Sequence, residues 1–172
     1  NKRQRCAVLI ESENTTILVD AGPDIKNQLI EHNIQKLDAV LITHSHSDHV
    51  SGLDELRPFY FYNREKIKIY TNKETSNFLF ERYNYLFNKS EASQSYFQPP
   101  LEMYEIDYYE EIIINDIKIY TIQQKKCLMN LICIEKTIIL KPVLYKMTFG
   151  IFFLEKIILL KIFIMKITKN TI

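Results

Sequence analysis

The feature that most constrains the fold is a short apolar run followed at once by a cluster of histidines. Residues 38–43 read Asp-Ala-Val-Leu-Ile-Thr, with no charge in the middle. Such a run is typical of a strand that is buried on both faces. Residues 44–49 then read His-Ser-His-Ser-Asp-His and hold three of the four histidines in the chain. The pattern predicts a polar site at the end of a buried strand.

The spacing of this cluster suits two metal ions. Side chains alternate between faces in an extended segment, so His44 and His46 point the same way and can bind one ion. The following loop turns the chain, which lets Asp48 and His49 face a second ion. Imidazole and carboxylate ligands predict two divalent ions, with zinc as the expected metal and manganese as the alternative. Asp48 is the candidate catalytic residue, because it would orient a bridging hydroxide or accept its proton.

A solvated, histidine-rich turn is the alternative interpretation of the same residues. It does not account for the position of the cluster, directly after a buried strand and before a predicted helix. The fourth histidine, His32, lies near the end of the first predicted helix. There an interaction with the helix dipole is a sufficient role for it.

Strands and helices alternate through the first part of the chain, which predicts an α/β layered fold. Asp24 is a plausible N-cap for the first helix, and Pro58 is expected to end a helix over residues 50–56. The remaining predicted elements are a hairpin of 6–10 with 16–20, a strand at 66–70, a helix at 75–87 and a hairpin of 111–114 with 117–122.

The chain divides into two regions of different composition. In residues 1–124, apolar runs alternate with turn and capping residues, as in a folded domain. Residues 125–172 are rich in Ile, Leu, Phe and Lys and contain few turn residues. We expect a diverged apolar tail there, in place of an original sequence that has been truncated or lost; a genuine lineage-specific tail is the alternative. Glu155, Lys156 and Lys161 interrupt its apolar run, so no membrane span is predicted.

Charge and cysteine content bound the compartment and the partners. Lys and Arg total 22 against 21 Asp and Glu, so there is no clear nucleic-acid patch. The three cysteines make a poor disulfide framework, and we expect no signal peptide from the polar residues at the start of the sequence. A reducing cytoplasm is therefore the predicted location.

Residues 43–52, Thr-His-Ser-His-Ser-Asp-His-Val-Ser-Gly, resemble the THxHxDHxxG signature of the metallo-β-lactamase superfamily. The preceding Ile17-Leu-Val-Asp20-Ala-Gly22 resembles its strand-end aspartate motif. Residues 20–24 and 52–59 resemble the PhnP-type phosphodiesterases, relatives of the ribonuclease Z group. This resemblance implies an αββα sandwich, with the N-terminal half preserved and the C-terminal half incomplete.

The resemblance also assigns roles to individual residues. It makes His44 and His46 ligands of the first metal, and Asp48 and His49 ligands of the second. Asp20 matches an aspartate that supports a ligand histidine without binding the metal itself. The alternative is a polar residue at a strand end that accepts hydrogen bonds from the turn. No substrate-binding residue is predicted. Arg57 is a candidate for a phosphate contact, although a surface ion pair is an equal alternative.

The later ligands of the family are not recognisable in this sequence. No histidine follows His49, and Lys126 and Cys127 occupy the place of an expected His-Gly. Cys127 is a weak candidate for a substitute ligand. Glu135 and Glu155 are the only acidic candidates for a bridging position, and neither has a supporting motif. Two ligands per ion are fewer than the three that a catalytic zinc normally has.

Three functions follow from these observations. The first is a metal-dependent hydrolase that cleaves a small phosphodiester, such as a cyclic phosphate, through a metal-bound hydroxide. The second is a degenerate, non-catalytic remnant that lacks the later ligands. The third is ribonuclease Z-like RNA processing. An incomplete sandwich would leave an apolar sheet face uncovered, so a homodimer is also expected.

Overall fold

A computed structural model describes residues 4–5, 7–88 and 98–123, together with strands at 130–135 and 139–141. The strands are β1 (Val8–Glu11), β2 (Thr16–Val19), β3 (Ala39–Leu41), β4 (Ile67–Thr71), β5 (Leu101–Glu105), β6 (Glu111–Ile114), β7 (Ile117–Gln123), β8 (Asn130–Glu135) and β9 (Ile139–Lys141). The helices are α1 (Ile25–Glu31), α2 (Ser47–Val50), α3 (Arg57–Asn63) and α4 (Lys73–Phe87), with a 3₁₀ turn at Leu53–Leu56.

The strands form two sheets. Six strands make the first sheet in the order β5-β4-β3-β2-β1-β9, and β6-β7-β8 make the second. Strands β2 to β5 run parallel to one another, while β1 is antiparallel to both β2 and β9. The second sheet is antiparallel throughout its described strands. The predicted α/β fold class is thus confirmed.

Strand β3 is buried on both faces, as the apolar run at 38–43 predicts. Val40 lies in a core shared with the helices, whereas Ala39 and Leu41 lie in a second core between the two sheets. The first core includes Ile25 of α1 and Leu79 of α4. Because the side chains of a strand alternate, a strand between two layers must be apolar at every position.

The prediction of a helix over residues 50–56 that Pro58 ends is wrong. The segment instead has a four-residue α2, the 3₁₀ turn and then α3, and Pro58 lies in the first turn of α3. Proline is well tolerated there because the first N–H groups of a helix have no partner within it. Val50, Leu53 and Leu56 are all buried, and their spacing of three residues matches the 3.0 residues per turn of a 3₁₀ helix.

Asp24 lies at the N-cap position of α1, but its side chain makes no capping bond. Its carboxylate instead accepts the backbone N–H of Arg5 at 2.7 Å. The N-terminal segment is thereby tied to the start of α1.

The division of the chain at residue 124 stays a prediction. Strand β8 pairs with β7, and β9 pairs with β1, so the described residues beyond 124 extend both sheets. The rest of the predicted tail lies outside the described residues. Among the residues that the structure describes, no helix has the length and apolar character to cross a membrane.

Candidate metal centre

The site lies at the carboxyl ends of β2 and β3, two inner strands of the first sheet. The two strands are parallel, with Val19 opposite Leu41, so the residues that follow them emerge side by side. Asp20 follows β2, and residues 42–49 follow β3 into α2. The carboxyl edge of parallel strands is the usual position of a site in such sheets.

Asp20 is buried and contacts several other residues of the site. Its φ of 63° is left-handed, a conformation that Asp and Asn adopt more readily than other non-glycine residues. Its carboxylate accepts the backbone N–H of Thr43 at 2.9 Å and the Thr43 hydroxyl at 2.9 and 3.0 Å. The same carboxylate lies 2.7 Å from Nδ1 of His49. Asp20 therefore joins the end of β2 to the segment after β3, which carries all the predicted ligands.

The structure brings His44 and His46 together. Nε2 of His44 lies 3.0 Å from Nδ1 of His46, and the ring centroids are 4.5 Å apart. Two nitrogens bound to one tetrahedral zinc at about 2.0–2.1 Å would be roughly 3.3 Å apart. The separation and the chemistry of this pair therefore fit a shared divalent ion.

His49 and Asp48 form a second pair beside the first. Nε2 of His49 lies 3.6 Å from Oδ2 of Asp48, and its ring centroid is 4.0 Å from that of His44. Since Nδ1 of His49 faces Asp20, Nε2 is the nitrogen left for a metal. The side chain of Asp48 is 50% exposed, so its carboxylate lies at the open side of the site.

The two inner histidines differ in their electrostatic surroundings. Burial lowers the pKa of His44, and the neighbouring His49 ring lowers it further. Burial also lowers the pKa of His49, but the hydrogen bond and the charge of Asp20 outweigh it, so this pKa lies above the ordinary value. A neutral His44 has a free lone pair, which is the form that binds a metal.

Two glycines, Gly22 and Gly52, allow the backbone after β2 and the backbone around α2 to lie in close contact. The N–H of Ala21 donates to the carbonyl of His49 at 2.7 Å, and the N–H of Gly52 donates to the carbonyl of Ala21 at 2.8 Å. A Cβ on Gly22 would lie 2.3 Å from the carbonyl oxygen of Asp48, and one on Gly52 would lie 2.1 Å from that of Gly22. Side chains at these positions would push the two loops apart.

Among the residues that the structure describes, neither pair has a third ligand. Within the described part of the chain, no three His, Cys, Asp or Glu side chains are grouped to hold one ion. Cys127 and Glu155 lie outside the described residues. Arg57 lies 3.9 Å from Asp54, as expected for the surface ion pair that was the alternative to a phosphate contact.

Sequence reasoning gave no role to Thr43, which contacts both Asp20 and His44 in the structure. Its signal was its position, directly before the first histidine at the end of a buried strand. A hydroxyl there reaches the neighbouring strand end only because β2 and β3 are parallel partners.

Comparisons with known proteins show what this chain is similar to. The ribonuclease Z of Sulfolobus acidocaldarius is 34% identical over 114 residues, which are 64% of this chain and 36% of that protein. An anti-Pycsar protein Apyc1 of Saccharibacillus brassicae is 47% identical over 49 residues, 27% of this chain and 20% of that protein. A diphosphatase of the PhnP family has a similar structure, with a TM-score of 0.59 and 28% identity over 70% of this chain and 43% of that one.

The chain spans less than half the length of each of these proteins. The metallo-β-lactamase fold protein YhfI of Bacillus subtilis is also similar in structure, with a TM-score of 0.60 and 15% identity over 80% of this chain and 53% of that one. This likeness confirms the predicted metallo-β-lactamase fold, and the diphosphatase confirms the relation to the PhnP-type branch. The family model described as anti-Pycsar protein Apyc1 matches residues 2–159, well past the predicted boundary at 124. The chain therefore belongs to the Apyc1 family, on the metallo-β-lactamase fold.

Proposed function

We propose that this protein is a metal-dependent hydrolase that cleaves a phosphodiester bond in a small cyclic phosphate. One observation carries the proposal: the His44–His46 pair and the Asp48–His49 pair lie side by side, above a buried carboxylate that fixes one ring of the second pair. Pairs of this kind suit two neighbouring divalent ions. Zinc is the proposed metal, and manganese is the alternative.

The phosphorus substrate is supported by the relatives rather than by a described pocket. By their names, the ribonuclease and the diphosphatase both act on bonds at phosphorus, and they resemble this chain over 64% and 70% of its length. Two divalent ions, when bound, supply an activated water at neutral pH and neutralise charge on a phosphate. The same chemistry would serve for an RNA phosphodiester and for a small cyclic phosphate.

The residues of the site would have different roles in metal binding and in catalysis. His44 and His46 would hold one ion and His49 the other, with Asp20 fixing the His49 ring from behind. Asp48 is proposed to share the second ion and to accept a proton, because its exposed carboxylate faces the open side of the site.

A non-catalytic remnant is the second candidate. It is favoured by the number of ligands, because each pair has two protein ligands among the described residues, whereas a catalytic zinc normally has three. Ribonuclease Z-like activity is a third candidate, supported by the likeness to a ribonuclease Z.

Metal content distinguishes the enzyme from the remnant. Zinc and manganese would be measured per chain after equilibration with each metal, for the wild type and for a His44→Ala/His46→Ala double variant. His32→Ala is the matched control, since it removes the one histidine outside the motif, at the C-cap of α1. We expect metal in the wild type and in the control but not in the double variant. Equal metal in all three proteins, or none in any, would overturn the metal site.

The substrate is then tested with the metal-loaded chain. Cyclic mononucleotides and an RNA with a 3′ extension would be incubated with the wild type and with Asp48→Asn. We expect the cyclic phosphates to be opened by the wild type alone. Cleavage of the RNA only would favour the ribonuclease, and no cleavage by a fully loaded chain would favour the remnant.

Two other predictions from the sequence, a homodimer and a cytoplasmic location, are part of the proposal. Gel filtration of the full chain tests the first, with a monomer in both the presence and the absence of zinc as the contrary result. Fractionation of cells that express the chain tests the second.

A further inference from the structure

The hydroxyl of Thr43 lies between Asp20 and His44. Its Oγ1 is 2.9 Å from Oδ2 of Asp20 and 3.0 Å from Nδ1 of His44. All three residues are buried, with at most 6% of their surface exposed. Threonine has a stiff χ1 angle, so its hydroxyl is held in this place.

Counting protons fixes the direction of these hydrogen bonds. A threonine hydroxyl has one proton to donate and also accepts, whereas a carboxylate only accepts. The hydroxyl proton therefore goes to Asp20, which leaves the hydroxyl oxygen as an acceptor facing His44. The partner atom, Nδ1 of His44, must then carry the proton, and Nε2 keeps the lone pair.

This tautomer is the one that a metal requires. Nε2 of His44 is the atom that faces Nδ1 of His46 at 3.0 Å. Asp20 does the same for His49 without an intermediary, because its carboxylate contacts Nδ1 of that ring at 2.7 Å. One buried carboxylate thus controls two imidazoles, one directly and one through a hydroxyl.

We propose that Thr43 is a positioning residue, whose hydroxyl connects Asp20 to His44 and sets the His44 tautomer with its proton on Nδ1. The inference rests on the proposed metal site for its purpose, but the tautomer itself is a property of the metal-free chain. Partners behind a ligand histidine change metal affinity by about 10- to 100-fold when they are removed. Thr43 should therefore act on affinity, although it touches no metal.

Two nearly isosteric variants separate the hydroxyl from the methyl group. Thr43→Val keeps the shape and removes the hydroxyl, whereas Thr43→Ser keeps the hydroxyl and removes the methyl group. Long-range ¹H–¹⁵N spectra of the metal-free chain report which imidazole nitrogen carries the proton. The His44 signals are identified by their absence from a His44→Gln variant. Zinc affinity is measured in parallel by competition with a chelator.

We expect the wild type and Thr43→Ser to have the proton on Nδ1 of His44, and Thr43→Val to lose that preference. Zinc affinity should fall about 10-fold or more in Thr43→Val and be largely restored in Thr43→Ser. A wild-type His44 with its proton on Nε2 would overturn the proposal without any variant, even if Thr43→Val failed to fold. An unchanged His44 tautomer in Thr43→Val would also overturn the proposal. The same holds if Thr43→Ser binds zinc as weakly as Thr43→Val does. Absence of zinc binding in every chain would refute the proposed function while leaving the tautomer result readable.

Discussion

The carboxylate of Asp20 lies 2.7 Å from Nδ1 of His49, although the two residues are 29 positions apart. The contact joins the end of β2 to α2. It exists because Asp20 adopts a left-handed backbone, with φ at 63°, that turns its side chain toward the loop after β3. A single residue at the end of β2 thereby orients His49, the proposed ligand in α2.

Asp20→Asn should weaken zinc binding by about 10- to 100-fold, because the amide no longer offers two acceptors to the donors around it. Asparagine also tolerates the left-handed backbone, so the substitution tests charge and hydrogen bonding rather than strain. Chelator competition measures the affinity.

Asp38→Asn is the matched control for Asp20→Asn. Asp38 accepts the backbone N–H of Thr16 at 2.8 Å and pairs with Lys36, near the opposite end of β3. We expect this variant to bind zinc as the wild type does. Equal weakening by both variants would mean that Asp20 acts through general stability alone.

Gly52→Ala should destabilise the fold by about 3 kcal/mol or more, since the new Cβ would lie 2.1 Å from the carbonyl oxygen of Gly22. That oxygen belongs to the backbone, which cannot rotate away as a side chain would. Urea denaturation of Gly52→Ala beside Ser51→Ala, at an exposed neighbouring position, measures the difference. A loss of stability no greater than that of Ser51→Ala would contradict the close contact.

Local sequence patterns were sufficient for the strand and the motif. Residues 39–41 are apolar without a break, because β3 is covered by helices on one face and by the second sheet on the other. The motif follows directly, so its position at the carboxyl edge of the sheet was predictable. The grouping of His44 with His46 follows from the alternation of side chains in an extended segment.

Features that depend on distant pairing were not predictable. The bond from Thr43 to Asp20 requires β2 and β3 to be parallel neighbours, which no local pattern reveals. The segment around Pro58 was misassigned for another reason. Apolar residues three apart in sequence fit an α-helix as well as a 3₁₀ helix, so the pattern alone does not distinguish them.

Asp116→Ala should cost about 1–3 kcal/mol of unfolding free energy, because it removes an acceptor from the buried hydroxyl of Thr15. Oδ1 of Asp116 accepts hydroxyl hydrogen bonds from Ser12 at 2.7 Å and Thr15 at 2.5 Å. These bonds connect the β1–β2 turn to the β6–β7 turn, and hence one sheet to the other.

A double-mutant cycle of Asp116→Ala with Thr15→Val isolates this link. We expect a coupling of about 0.5–3 kcal/mol in urea denaturation. Asp116→Asn keeps an acceptor oxygen and should lose less than Asp116→Ala. Additive effects of the two single variants would show that the hydroxyl bond contributes nothing to the joining of the sheets.

The phenol of Tyr85 should ionise only near pH 12. Burial, the hydrogen bond to Asp54 at 2.5 Å and the charge of that carboxylate together raise the pKa of Tyr85 from 10.0 to about 12. Because this pKa is higher in the folded state, the contribution of Tyr85 to stability is fully present below about pH 10 and is lost as the pH rises toward 12. Stopped-flow pH jumps, read by phenolate absorbance before the chain unfolds, should show a step near pH 12 that Tyr85→Phe removes. Tyr62→Phe, at a ring that is 87% exposed, should leave that step in place. If the step survives in Tyr85→Phe, another tyrosine is responsible for it and the contact with Asp54 does not control the titration.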